Sequence, residues 1–122
     1  MADPGEDDLR RRYLPRMQEE LHGLRAASDA TSHDRKPVAL DQSSVGRLSR
    51  MDAIQRQAVA AAREARRHGR IRVLEAAIRR LEEAEFGWCE DCGAFIGEKR
   101  LDLDPTPLRC CKCAGTTRPP SR

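Results

Sequence analysis

All five cysteines of the 122-residue chain fall between Cys89 and Cys113. Sulfur gathered in this way can close a disulfide, serve as a redox pair, or hold a soft metal ion. Cys89-Glu-Asp-Cys92 and Cys110-Cys-Lys-Cys113 are two CxxC pairs with seventeen residues between Cys92 and Cys110. At that spacing two short turns each present two thiolates to one tetrahedral zinc ion. A redox pair of the thioredoxin kind would want an isolated CxxC beside a βαβ pattern, and none is evident. Cys111 is then the remainder. A one-residue shift could let it replace Cys110 and give a CxC pair, but the CxxC reading makes the two turns equivalent and is preferred. Four thiolates fill the coordination of zinc and leave no position for water. His22, His33 and His68 all lie outside the two turns. The expected ligands are therefore Cys89, Cys92, Cys110 and Cys113, around a single structural zinc.

The segment between the pairs must cover such an ion. Phe95, Ile96, Leu101, Leu103 and Leu108 could form a small apolar cap, with Pro105 and Pro107 stiffening the return. Gly93 follows the first pair, where the turn calls for a positive φ. The composition favours a local staple: charged residues make up 35% of the chain and aromatic residues 3%, so little large apolar surface is on hand for a core. The opening "MADPGEDDLRRRY" is acidic and has no apolar run, and no stretch approaches the ~20 apolar residues of a membrane span. The chain reads as a cytoplasmic protein with no membrane segment, where paired cysteines more often hold metal than form disulfides.

Two long helices precede the cysteines. Leu9, Tyr13, Met17, Leu21 and Leu24 recur at helical spacing and predict a helix over 6–28, with Pro15 either kinking it or marking its start. The stretch "ASDATSHDRKPVALDQSS" has no period and reads as a loop, with Asp41, Ser43 and Ser44 as candidate N-caps for the next helix. That second helix is predicted over Val45–Ala84, roughly 60 Å long. Its apolar seam is read as Ile54, Ala58, Ala61 and Ala65, then, after a slip at His68–Gly69, Ile71, Leu74, Ile78 and Leu81. A helix this polar needs a partner, and the first helix, antiparallel across the loop, is favoured over an intermolecular coiled coil. The fold class is thus mainly α: an antiparallel two-helix coiled-coil hairpin over 1–84, with its loop and tip around 30–53. A small zinc-finger module occupies 85–115, and a tail over 116–122 is read as disordered. A monomer is expected.

Charge is unevenly spread. Gly46–Arg80 carries ten arginines against Asp52, Glu64 and Glu75, whereas Glu82–Cys113 carries eight acids against Lys99, Arg100, Arg109 and Lys112. A basic rod joined to an acidic knob is not a uniformly basic nucleic-acid glove, and a solvated helix face explains many of the arginines.

The run "LEEAEFGWCEDCGAFIGEKRLDLDPTPLRCCKC" resembles the DksA/TraR four-cysteine zinc-finger proteins of bacteria. The matching features are Phe86-Gly87-aromatic-Cys89, Cys92-Gly93, Ile96, Arg100-Leu101, Pro105-Thr106 and the gap between the pairs. The resemblance implies a hairpin with a zinc module at its base. It further implies binding to RNA polymerase through the secondary channel, with the hairpin tip modulating transcription initiation and no reaction catalysed. Candidate tip residues are Asp41, Asp52 and Ala53, although Asp52 falls about three residues late and adjoins Ala53 instead of preceding it by two. The positions at which some relatives hold the alarmone ppGpp correspond to Val73, Asp104 and Ala114, none of them cationic, so ppGpp binding is not expected there. Sequence-specific DNA binding is not expected either. The competing readings are a zinc finger that binds nucleic acid directly and a helical assembly protein without polymerase activity; no acid–base pair, nucleophile dyad or phosphate-cradling loop suggests an enzyme.

Overall fold

The computed structural model describes residues 4–32 and 47–116. They form α1 (Glu6–Ala30), α2 (Arg47–Glu82), α3 (Glu98–Leu103) and α4 (Cys111–Thr116). Among the described residues there is no strand, only an isolated antiparallel bridge between Trp88 and Phe95. The fold is mainly α, with α1 and α2 antiparallel and the cysteine cluster after them. Two compact units divide the chain, residues 1–20 with 73–122 in the first and residues 21–72 in the second.

α1 runs through Pro15 without interruption and begins at Glu6, with Glu6, Asp7 and Asp8 in its first turn where acids favour the helix dipole. α2 ends two residues earlier than the sequence suggests. Ala84 adopts φ 62°, Glu85 N–H donates to the Arg80 carbonyl at 2.8 Å and Ala84 N–H to that of Leu81 at 3.3 Å. This left-handed cap closes the helix without the usual glycine. The Arg80 guanidinium then donates to the carbonyls of Glu85 (2.9 Å) and Trp88 (2.8 Å), which holds the chain as it leaves the helix.

In the first unit, Leu9, Tyr13 and Met17 of α1 and Leu74, Ala77 and Leu81 of α2 share a core with Phe86, Ile96, Leu101 and Pro105. The Tyr13 and Phe86 rings lie 5.6 Å apart between centroids. Arginines of α1 complete the joint. Arg10 donates to the Leu81 carbonyl near the end of α2 at 3.4 Å. Arg12 bonds Asp102 at 2.8 Å and Glu98 at 3.2 Å. Arg16 donates to the carbonyls of Asp102 (2.6 Å) and Leu103 (3.2 Å), the last of α3. Cationic side chains on terminal carbonyls satisfy acceptors that the helix itself cannot. Tyr13 Oη donates to Asp102 at 2.7 Å. Burial, followed by this hydrogen bond and the Asp102 charge, pushes the Tyr13 phenol up to about 12.

The second unit departs from the expected seam. Ile54 is 47% exposed, and Ala58, Ala61 and Ala65 are exposed as well. The sheltered positions that continue as one line along α2 are Ala53, Gln57, Ala60, Glu64, Arg67, Ile71, Leu74, Ile78 and Leu81. They alternate in steps of four and three with no slip at His68–Gly69. From Ile71 to Leu81 the seam is the expected one; over 53–67 the apolar pattern does not reveal it, because Gln57, Glu64 and Arg67 sit among its alanines, and in a helix rich in alanine for propensity, alanine does not mark a face. Glu64, only 7% exposed, accepts from the Ser28 hydroxyl of α1 and from Arg67, with His68 Nε2 at 2.6 Å. Arg67 also donates to Thr31 Oγ1 at 3.4 Å. A buried carboxylate survives only with such partners, and a polar group in a coiled-coil seam fixes register at some cost in stability.

Glu64→Ala leaves Ser28 and Arg67 without their carboxylate at the seam and is expected to lower the urea-unfolding free energy by about 3 kcal/mol. The triple change Ser28→Ala, Glu64→Leu, Arg67→Leu should recover most of it; equal losses in both variants would contradict the clasp. A second expectation concerns Tyr13, the only tyrosine, so ultraviolet tyrosinate absorbance reports it alone. With its folded value above the ordinary 10.0, the stability it lends is complete below pH 10 and is lost as pH climbs to about 12. Asp102→Asn should lower the folded titration point; titration of the wild type at the ordinary value would contradict the contact.

Candidate metal centre

The chain enters the site through a tight reversal. Gly87 (φ 89°) is enclosed: a Cβ there would lie 3.2 Å from Phe95 Cε1 and 3.4 Å from Leu9 Cδ1. The dihedral favours glycine, and a Cβ would press against the Phe95 ring. From it, Ile96 N–H donates to the Gly87 carbonyl at 2.7 Å and Cys89 N–H to that of Ala94 at 2.8 Å. Trp88 and Phe95 pair across this reversal with ring centroids 5.3 Å apart. Gly93, at φ 77°, turns the chain after Cys92 while its N–H donates to the Cys89 carbonyl at 2.9 Å.

The turn aims amides at sulfur. Asp91 and Cys92 N–H groups point at Cys89 Sγ at 3.4 and 3.5 Å. The second pair repeats the device, with Cys113 N–H 3.5 Å from Cys110 Sγ. That turn opens α4, a short helix that the sequence does not signal, and Ala114 N–H donates to the Cys110 carbonyl at 2.8 Å. Glu90 N–H to the Leu108 carbonyl (2.8 Å) ties the two turns together. Arg109, 2.8 Å from Asp91 and 3.5 Å from Glu90, bridges them outside.

The sulfur atoms of Cys89, Cys92, Cys110 and Cys113 all lie within 4.8 Å of one another, and Cys92 and Cys110 are 3.7 Å apart. A tetrahedron with Zn–S of about 2.3 Å has edges of about 3.8 Å, whereas a disulfide needs about 2 Å. The donor set therefore fits one zinc ion. Cys89 and Cys110 are buried, Cys113 partly so, and Cys92 is open to solvent. Burial works to raise the Cys89 thiol, yet the amides of Cys92, Cys110 and Asp91 outweigh it and bring the thiol down to about 6. The Cys113 amide likewise lowers Cys110. The neighbouring sulfurs of Cys89, Cys110 and Cys92 push Cys113 up to about 12. Part of the cluster is primed to ionise and part resists a further negative charge, a conflict that a divalent cation resolves.

Cys111 stands apart. It is exposed, and its sulfur accepts from Arg100 at 3.3 Å instead of joining the four. The apolar cover is smaller than the sequence suggests. Ile96 and Leu101 are buried and Phe95 is half-buried, but Leu103 is 84% and Leu108 40% exposed. Leu103 falls at the outer end of α3, a helix too short to show an apolar period. Thr106, by contrast, is buried, donating through N–H (3.2 Å) and hydroxyl (2.8 Å) to Asp104.

Residues 84–117 match the model of the prokaryotic DksA/TraR C4-type zinc finger. The chain carries a DksA/TraR zinc finger. Over 43 residues the sequence is 40% identical to the RNA polymerase-binding transcription factor DksA of Escherichia coli K12 and of Salmonella typhimurium. The same factor of Haemophilus influenzae is 40% identical over 40 residues. These matches take in 35% of this chain and 28% of the Escherichia coli protein. Transcription factor DksA2 from Pseudomonas aeruginosa superposes on 90% of this chain and 80% of its own, with a TM-score of 0.67 at 21% identity. The hairpin-plus-finger fold is therefore shared well beyond the finger, and one structural zinc is the cofactor that the finger takes. None of the helices among the described residues is long and apolar enough to cross a membrane.

The sequence-expected tip residues lie elsewhere. Asp52 is exposed and Ala53 half-buried in the second turn of α2; Asp41 lies outside the described residues. The metal assignment is checked by zinc content. Cys111→Ser should retain one zinc per chain and Cys110→Ser should not. The reverse outcome would mean that Cys111 replaces Cys110.

Proposed function

We propose that this chain is a zinc-dependent transcription regulator of the cytoplasm that binds RNA polymerase as a monomer, through the secondary channel. In this reading Cys89, Cys92, Cys110 and Cys113 hold the ion, and the hairpin end bearing Asp41, Asp52 and Ala53 modulates initiation. The observation that supports it most is the joint one: a DksA/TraR finger at 84–117 on a chain whose fold follows a DksA-type factor over 90% of its length. Fold alone does not carry function; the finger's sequence match adds what the hairpin lacks.

The chemistry is regulatory. A four-thiolate ion has no open position, so the zinc shapes the finger and activates no water. Val73, Asp104 and Ala114 offer no cation to a pyrophosphate, and the regulator is proposed to act without ppGpp at that place. Asp52 is the exposed carboxylate nearest the start of α2. Together with Asp41 it would supply negative charge at the tip.

A pull-down of purified bacterial RNA polymerase by the zinc-loaded chain, followed by transcription in vitro, tests this. The chain should retain polymerase and alter initiation, and Asp52→Asn should keep binding while losing most of the effect. Failure to bind would remove the polymerase reading. Binding with unchanged transcription by both Asp41→Asn and Asp52→Asn would remove the tip mechanism alone.

A further inference from the structure

A partly open cavity of about 220 Å³ lies in the first unit, between the start of α1 and the end of α2. Leu9, Leu81, Ala84, Phe86 and Trp88 line it, and Glu6 is the one charged residue in its wall. Leu9, Leu81 and Phe86 belong to the buried core, so the cavity is shaped before any ligand arrives. It has room for about seven waters at ~30 Å³ each, too little for a drug-sized ligand and enough for a stem of about five carbons. The charge around it is acidic. Asp7 follows Glu6, and Glu82 and Glu83 fall between Leu81 and Ala84; all of these carboxylates are exposed. Among the described residues, no cation lies in ion-pair distance of Glu6, Asp7, Glu82 or Glu83. Arg10, one turn on from Glu6, is turned instead to the Leu81 carbonyl, and Arg80 to those of Glu85 and Trp88.

We infer that this cavity binds an organic cation, an ammonium group carried on a short aliphatic stem. Its walls and its charge select that chemistry together. An anion would meet Glu6 and its acidic neighbours head on. A neutral apolar ligand would displace water from Glu6 with no hydrogen bond to replace it. An aliphatic cation answers both parts, because the stem covers the apolar wall while the head stays at the carboxylate and in water. A free alkylamine and the lysine side chain of a partner share this chemistry. None of the lining residues is a sulfur ligand or a tip candidate, and the site stands whether or not the chain binds polymerase.

Trp88 is the only tryptophan, so its fluorescence in the zinc-loaded full chain reports the cavity directly. The probes are n-pentylamine, its neutral and anionic counterparts 1-pentanol and pentanoate, and Nα-acetyl-lysine amide, all titrated at neutral pH and low salt. The amine should give a saturable change in the millimolar range, about fivefold tighter than 1-pentanol, as one favourable exposed ion pair allows. Pentanoate should give none. Salt at about 1 M should remove most of the preference for the amine. Glu6→Gln should bring the amine to the affinity of the alcohol and leave the alcohol's own Kd unchanged. Glu19→Gln, an exposed acid about 20 Å further along α1, should change neither; helicity and zinc content verify that both variants fold. Saturation by the amine alone assigns a free amine, and saturation by the lysine derivative as well extends the site to a partner's side chain. No saturable change with the amine, equal Kd values for amine, alcohol and anion, or a preference for the amine that persists in Glu6→Gln would each overturn the assignment.

Discussion

Four sulfur atoms drawn within 4.8 Å of one another are the constraint that shapes the first unit. As thiolates they repel; as thiols they bury polar groups with poor partners. The amides aimed at Cys89 and Cys110 relieve part of the charge, and a divalent ion supplies the rest. Everything from Gly87 to α4 is arranged around that requirement. The positive φ angles at Gly87 and Gly93, the bond from Glu90 to Leu108 and the Arg109 bridge each bring one turn towards the other. Once the turns are fixed, α3 is fixed between them, and α3 carries Asp102.

Asp102 is where the finger meets the hairpin. Tyr13, Arg12 and Arg16 converge on it and on the end of α3, while Leu101 packs beneath among the buried residues. The apolar contacts supply most of the stabilisation, at about 25 cal/mol per Å² buried. The polar contacts set direction, because a phenol and two guanidiniums must meet one short helix together. In the second unit the balance differs. Besides Leu21 and Ile71, its seam is built from alanine, Gln57, Glu64 and Arg67, so it gains less from burial and adds a hydrogen-bonded clasp. It leaves Arg56, Arg63 and Arg66 exposed to solvent.

Much of the site is legible in the sequence because metal ligation is local: two CxxC turns and a bounded gap dictate which sulfurs can meet, and Gly93 announces its own dihedral. The two long helices are legible from Leu9, Tyr13 and Met17 and from Leu74 and Leu81, where large apolar residues mark the face. The seam over residues 53–67 is not. Ala58, Ala61 and Ala65 look apolar yet face solvent, while a buried glutamate has no sequence signature until its partners Ser28 and His68 are seen beside it. α3 and α4 are each six residues, too short for a period. The roles of Arg12 and Arg16 are hidden for a different reason: their partners in and at the end of α3 are 86 to 90 positions away. From composition they are indistinguishable from solvated charge.

The claim that one ion orders the finger, and through α3 the foot of α1, is tested most directly by amide hydrogen exchange before and after chelation at fixed pH. Zinc removal should speed exchange across Leu9–Met17, residues outside the cysteine cluster, and adding zinc back should restore their protection. Unchanged protection of that segment in metal-free protein would show that the helices hold their foot together without the ion.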